Sequence, residues 1–235
     1  MKKGYLAAFF AVATGFVLAI VLCVQALYLP QAVFASSESK MKIVLDAGHG
    51  GMDGGVTGQT TGIKESDINL SITLALGDIL TDMGFAVAYT RKTQAGLYDT
   101  ATKGFKNRDM QKRRQIIQAE QPDLLVSIHQ NFYPSKTTRG GQVFYEKGAK
   151  DGKTFALCVQ KRLNALYAQQ GAKARNAMSA EYFILECSPV PSVLVECGFL
   201  SSQKDEQLLS NAAFRKRLAG VIAAGITDFF AGISA

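Results

Sequence analysis

The chain has 235 residues, 48% of them hydrophobic and 19% charged, which excludes a disordered protein and is enough for one domain with a full core plus a targeting segment. Its net charge is +7, or +5 once Lys2 and Lys3 of the leader are set aside, a balance suited to an anionic polymer or membrane surface. Neither an aromatic-interleaved basic stripe nor a recognition-helix signature is present, so nucleic acid is not among the expected partners.

Met1-Lys2-Lys3 and the uncharged apolar run from Leu6 to Leu29 form a positive n-region with a long hydrophobic segment, and Val33-Phe34-Ala35 offers small residues for cleavage. Residues 1–35 are therefore expected to be a signal peptide or, if retained, a signal anchor holding the protein to the membrane. Either outcome gives an extracytoplasmic protein. Ser36 to Lys40 reads as a polar linker, leaving 41–235 as the functional domain. Beyond Cys23 in the leader stand Cys158, Cys187 and Cys197, an odd number for an exported chain. A Cys187–Cys197 bridge would bracket Pro189 and Pro191, but three buried thiols are the favoured reading. No C-x-x-C pair exists, which argues against cysteine-held zinc.

The first expected strand, Lys42 to Leu45, runs into Asp46-Ala47-Gly48-His49-Gly50-Gly51-Met52-Asp53-Gly54-Gly55. A second glycine-rich span, Gly54 to Gly62, leads to an amphipathic helix marked by Ile68, Ile72, Ala75 or Leu76, Ile79 and Met83. Acids in its first turn suit the dipole, and Gly84 suits its end. Phe85 to Thr90 is the second strand, Thr93 to Asn107 a polar, mobile loop over the sheet edge, and Arg108 to Ala119 a helix burying Met110, Ile116 and Ile117. Asp123 to Ile128 is the third strand and delivers His129; Val143 to Tyr145 is the next, after the turn at Gly140 and Gly141. A helix through Phe155, Leu163 and Leu166 ends at Gly171, then come short strands at Tyr182 to Leu185 and Val193 to Val195, the latter capped by Glu196. The last helix runs through Leu218, Ile222 and Ile226. Strands alternating with helices define the α/β class: a single doubly wound, mostly parallel sheet flanked by helices.

Open sheets of this kind carry their sites at the carboxyl ends of strands. The only two histidines, His49 and His129, both follow apolar runs. A catalytic zinc takes three ligands from imidazole and carboxylate and keeps a position for water. Here the imidazoles are 80 residues apart and no H-E-x-x-H is present, so they must converge from two strand ends. Several acids are available as the third ligand; Glu65, 16 residues after His49, lies where the glycine loop meets the helix. Hydrolysis also needs a proton acceptor, and Glu196, directly after Ser192-Val193-Leu194-Val195, is a partly desolvated candidate.

Four segments carry a family resemblance: Leu45 to Gly55, Gly62-Ile63-Lys64-Glu65, Ser127-Ile128-His129-Gln130-Asn131, and Pro191 to Ser202. From Lys42 to Phe230 the chain resembles the zinc-dependent N-acetylmuramoyl-L-alanine amidases, which cut peptidoglycan stem peptides from glycan strands. The resemblance implies His49, Glu65 and His129 as Zn2+ ligands and Glu196 as the acid–base. Asp46 and Asn131 neighbour the ligands and are candidates to orient an imidazole or the substrate, with ordinary loop hydrogen bonding as the alternative. Arg91 or Arg139 is a candidate to meet stem-peptide carboxylates. Ala47, Phe132 and Ser202 depart from the family pattern, and Phe132 is expected to narrow the cleft. The absence of wall-binding repeats, the Arg108-to-Arg113 region and Gly141-Gln142-Val143-Phe144-Tyr145 look like the sporulation and germination subgroup, whose members prepare the spore cortex for muramic lactam formation. The rivals are a zinc peptidase cutting within stem peptides and a non-catalytic wall-binding protein on the same fold.

Overall fold

A computed structural model describes residues 40–232. The expected leader and residues 36–39 of the linker lie outside the described residues. Among the described residues no helix is long and apolar enough to cross a membrane. Six strands, β1 (Lys42–Ala47), β2 (Ala86–Tyr89), β3 (Leu124–Asn131), β4 (Gln142–Glu146), β5 (Met178–Ala180) and β6 (Ser192–Phe199), form one sheet in the order β2-β1-β3-β6-β4-β5. All neighbours are parallel except β4 and β6, which run antiparallel. The helices are α1 (Glu65–Asp82), α2 (Phe105–Glu120), α3 (Lys150–Ala168), α4 (Gln203–Ser210) and α5 (Ala212–Phe230), with a 3-10 turn at Phe183–Glu186.

Successive strand side chains point to opposite faces. Ile43 and Leu45 of β1, Val126 and Ile128 of β3, and Val193, Val195 and Cys197 of β6 enter the larger core under α1, α3 and α5. The α1 contribution is a stripe of Ile68, Ile72, Leu76 and Leu80, all with no exposed surface and spaced four apart, so one face of the helix is apolar. The other parity sends Val44, Leu125 and Leu194 into a smaller core with Ile117 of α2 and with Ile184, Leu185 and Cys187 of the 3-10 segment. Asp46, Ser127, His129 and Glu196 share that second parity. The strand pattern thus places polar groups at the carboxyl edge of the more thinly covered face.

Several boundaries differ from expectation. The apolar run at Tyr182 to Leu185 is not a strand: its backbone closes 3-10 turns, Leu185 N–H donating to Tyr182 and Cys187 N–H to Ile184. The edge strand lies just before it, at Met178–Ala180. A short apolar run carries no periodicity with which to choose between these. β3 and β6 extend past their predicted ends, so His129 and Glu196 lie within strands and face each other across the β3–β6 register. The irregular segment 93–104 is stitched to the glycine loop by Gly51 N–H to Gln94 O (2.7 Å). Leu97 N–H also donates to Asp109 Oδ1 on α2 at 2.6 Å. Cys187 and Cys197 are buried, and no disulfide joins them.

Candidate active site

The glycine loop after β1 brings the first imidazole back over the strand ends. His49 takes a left-handed conformation, φ 61°, uncommon for a residue with a side chain. Two glycines make room for the cluster. A Cβ on Gly48 would collide with the His129 ring, and one on Gly55, at φ +67°, would strike Glu65 Oε2 and lie 2.8 Å from His49 Cδ2. Glu65, the first residue of α1, enters from the helix side and is buried. Its Oε1 lies 3.3 Å from His49 Nε2 and 3.0 Å from His129 Nδ1.

His49, Glu65 and His129 each offer one donor atom, and these atoms all lie within 4.8 Å of one another. Two imidazole nitrogens and one carboxylate oxygen, converging from three elements, are a donor set that fits a divalent metal ion. The cluster is braced from behind. His49 Nδ1 is 2.9 Å from Asp53 Oδ2, and Asp53 Oδ1 meets Lys106 Nζ at 3.0 Å. Glu65 accepts from Val56 N–H at 3.0 Å, Gln130 N–H at 3.0 Å and Asn69 Nδ2 at 3.3 Å. Burial works against ionising Glu65, but the two histidines outweigh it and hold the carboxyl well below the usual range. Burial likewise opposes a charged His49, yet Glu65 and Asp53 raise it to about 9.

Glu196 stands apart from this cluster electrically. The residue keeps some exposure to the cleft, but its Oε2 is buried with no hydrogen-bond partner. Burial pushes its carboxyl up to about 7, with nearby His129 pulling the other way. It lines, with His49 and His129, a cleft of about 370 Å³. Asp46 and Arg113 belong to the polar side of that cleft; Phe105, Met110, Tyr182, Phe183, Ile184 and Leu194 give it an apolar wall.

Asp46 touches neither imidazole by hydrogen bond. It is fully buried, and although burial opposes ionisation, Arg113, Ser127 and Thr90 bring its carboxyl down to about 2. Arg113 Nη1 reaches Asp46 Oδ1 at 2.5 Å and Ala47 O at 2.7 Å, Nη2 reaches His49 O at 2.6 Å, and Nε reaches Asp109 Oδ2 at 2.6 Å. Asp46 therefore acts on the ligand loop through Arg113, which fixes the backbone of His49 in its left-handed turn. Asn131 lies at the end of β3, beyond a register irregularity, and lines a different concavity. Arg91 is buried and spends its donors on the carbonyls of Ala47, Gly48, Ser66 and Thr93, so it is scaffold and not a carboxylate receptor. Arg139 is paired with Asp205 at 2.9 Å. Phe132 is 43% exposed and forms no part of the cleft wall.

Asp53, Gln130 and Arg113 stand in segments that carried the resemblance but were assigned no role, and Asn69 and Lys106 were not singled out. Asp53 carried a further signal, four residues after His49 in the same loop. Arg113 sits in a polar helical stretch that was expected to bury Met110, Ile116 and Ile117.

The residues matched by the family profile described as N-acetylmuramoyl-L-alanine amidase are 43–228, which include the whole cleft. A similar curated protein is the germination-specific N-acetylmuramoyl-L-alanine amidase of Bacillus subtilis, 30% identical over 191 residues covering 80% of this chain and 79% of that one. Another is the N-acetylmuramoyl-L-alanine amidase AmiA of Escherichia coli, 28% identical, covering 83% and 78%. Among solved structures, the CwlD amidase of Clostridioides difficile in complex with the GerS lipoprotein has a TM-score of 0.78 at 32% identity, covering 82% of this chain and 100% of that chain. With the profile spanning nearly the whole described region and the relatives matched over most of their length, this chain belongs to the N-acetylmuramoyl-L-alanine amidase family.

Proposed function

We propose that this protein is a zinc hydrolase acting outside the cytoplasm on peptidoglycan, cleaving the amide between the lactyl group of N-acetylmuramic acid and L-alanine of the stem peptide. His49, Glu65 and His129 would hold the metal. Zinc, when bound, supplies Lewis-acid polarisation of a carbonyl and lowers the pKa of water towards neutrality. The observation that carries the reading is Glu196: a buried carboxylate oxygen without a partner, lining the cleft beside the three donors, on a carboxyl raised to about 7. A group poised there accepts a proton from the attacking water and returns it to the departing amine nitrogen of L-alanine. Asp53 keeps the His49 ring turned so that Nε2 faces Glu65, and the hydrogen bonds from Val56, Gln130 and Asn69 fix the Glu65 carboxylate.

Similarity to a germination-specific amidase supports a role in the spore cortex, where removal of stem peptides precedes muramic lactam formation. The lipoprotein complex of the solved relative supports a protein partner for this chain as well.

Digestion of purified peptidoglycan, with and without chelator, tests the reading. New amino-terminal alanine and free lactyl carboxyls, lost with chelator and restored by zinc, are expected. Cuts within the stem peptide would instead show a peptidase, and retention on the wall with no release would show a binding protein. Loss of muramic lactam from spores lacking the protein tests the cortex role.

A further inference from the structure

A second concavity, of about 420 Å³, is lined by Asn131, Tyr133, Thr138, Gln142, Arg175 and Phe199. Its place is set by the strands that build the cleft. Gln142 is the register partner of Glu196 across β4 and β6, and directly opposed residues project on the same face about 5 Å apart. Asn131 and Phe199 end the two strands that carry His129 and Glu196.

Arg175 in this concavity makes no salt bridge among the described residues, as Arg91 and Arg217 make none elsewhere in the fold. Arg113, Arg139 and Arg162 each meet a carboxylate. Arg175 instead gives Nε and Nη2 to the neutral Oε1 of Gln142, at 3.1 and 2.8 Å, and lies over the Phe199 ring, 4.9 Å from its centroid. Gln142 is itself buried and donates to Asn176 O at 3.2 Å. Asn164 grips the Arg175 backbone, accepting from its N–H at 3.0 Å and donating to its carbonyl at 2.8 Å. Among the described residues no carboxylate makes an ion pair with it. A guanidinium so fixed feels the charge of nearby Asp205 but makes no ion pair with it, and its planar fork suits a planar anion.

We propose that this concavity is a carboxylate subsite of the amidase, one strand away from Glu196. The inference rests on the amidase reading and names what that cleft recognises. In the intact substrate the muramic acid carboxyl is consumed in the scissile amide, so the anion comes from the stem peptide. After cleavage the freed lactyl carboxylate is a second source of the same chemistry. Arg175 provides the charge, and Asn131, Tyr133 and Thr138 line the rest of the seat.

The test compares zinc-loaded wild type, Arg175→Gln and Arg175→Lys on soluble muropeptides with free or amidated stem carboxyls, together with inhibition by the peptide-free product. For the free acid, Arg175→Gln should raise KM by about tenfold or more while kcat stays within about twofold. The amidated substrate should be indifferent to position 175, and Arg175→Lys should recover part of the loss. If the lactyl carboxylate is the ligand, both KM values hold and product inhibition alone weakens about tenfold. The proposal is overturned if neither KM nor product inhibition changes, or if both substrates suffer equally, which would mark Arg175 as structural. Wild type releasing alanine from neither substrate would refute the amidase reading itself, and the subsite with it.

Discussion

Substituting Glu196 by glutamine separates the electrostatic cost of the proposed proton acceptor from its chemistry. Its carboxyl rises from an ordinary value of 4.5 to about 7, with burial as the largest cause. Each such tenfold in proton affinity is worth about 1.4 kcal/mol, so the full rise corresponds to roughly 3 kcal/mol. The sign follows from proton counting. Between 4.5 and about 7 the folded chain binds the proton more tightly than the unfolded one. The stabilisation is therefore complete below 4.5 and is lost as pH climbs through 7, where burying the ionised group becomes a penalty. Urea denaturation of the chelated protein at about pH 5 and about pH 8 should show wild type losing roughly 2–3 kcal/mol relative to Glu196→Gln across that interval. Comparing the two pH values cancels the constant cost of burying an amide. A dication in the cluster favours the ionised carboxylate, so zinc should shrink the difference. Parallel stability curves for the two chelated proteins would refute the claim that Glu196 is desolvated.

Zinc-loaded enzyme should lose kcat/KM on the acid side as Glu196 takes up a proton, with an apparent pKa between 4.5 and about 7; a flat profile over that range contradicts its role. Asp53→Ala leaves His49 Nδ1 without its carboxylate and should weaken zinc about 10- to 100-fold, read by competition with a chelating dye. Arg113→Met strands Asp46 and Asp109 as buried acids and should cost about 3–5 kcal/mol in denaturant unfolding. Gly55→Ala drives a Cβ into Glu65 at a backbone angle that alanine resists, so bound metal should fall even where circular dichroism reports a folded chain.

The two imidazoles of the candidate metal cluster were legible from their place in the chain, while Glu65 was one of several acids and was singled out by the family resemblance. Only two histidines exist, each follows an apolar run, and Glu65 opens a well-patterned helix. Periodicity found the α1 stripe through Ile68, Ile72 and Leu76 but then followed Ile79 and Met83, where the helix buries Leu80 and leaves Met83 exposed past its end. The bracing of the site was not legible, since α2 buries Asp109 and Arg113 on the face where a pattern reader expects leucine. Arg113 reaches Asp46 and the carbonyls of Ala47 and His49, some 60 residues earlier, while Asp109 holds Arg113 and takes Leu97 N–H; spacing on the helix carries no trace of the first set. Arg91 misled for the same reason: besides its neighbour Thr93, its carbonyl partners lie at the end of β1, in the glycine loop and in the first turn of α1, which meet only in three dimensions. Met178–Ala180 is three residues long and largely exposed, too short to show alternation, whereas Phe183-Ile184-Leu185 has the hydrophobicity of a strand and the hydrogen bonds of a tight turn.

The central claim is that two imidazoles and Glu65 bind a metal while Glu196 moves the proton. Zinc content and release of amino-terminal alanine from peptidoglycan, measured on the same preparations of wild type, His129→Ala and Glu196→Gln, test it most directly. The account predicts one zinc and turnover for wild type, little zinc and no turnover for His129→Ala, and full zinc with no turnover for Glu196→Gln. Full zinc in His129→Ala, or wild-type turnover in Glu196→Gln, would contradict it.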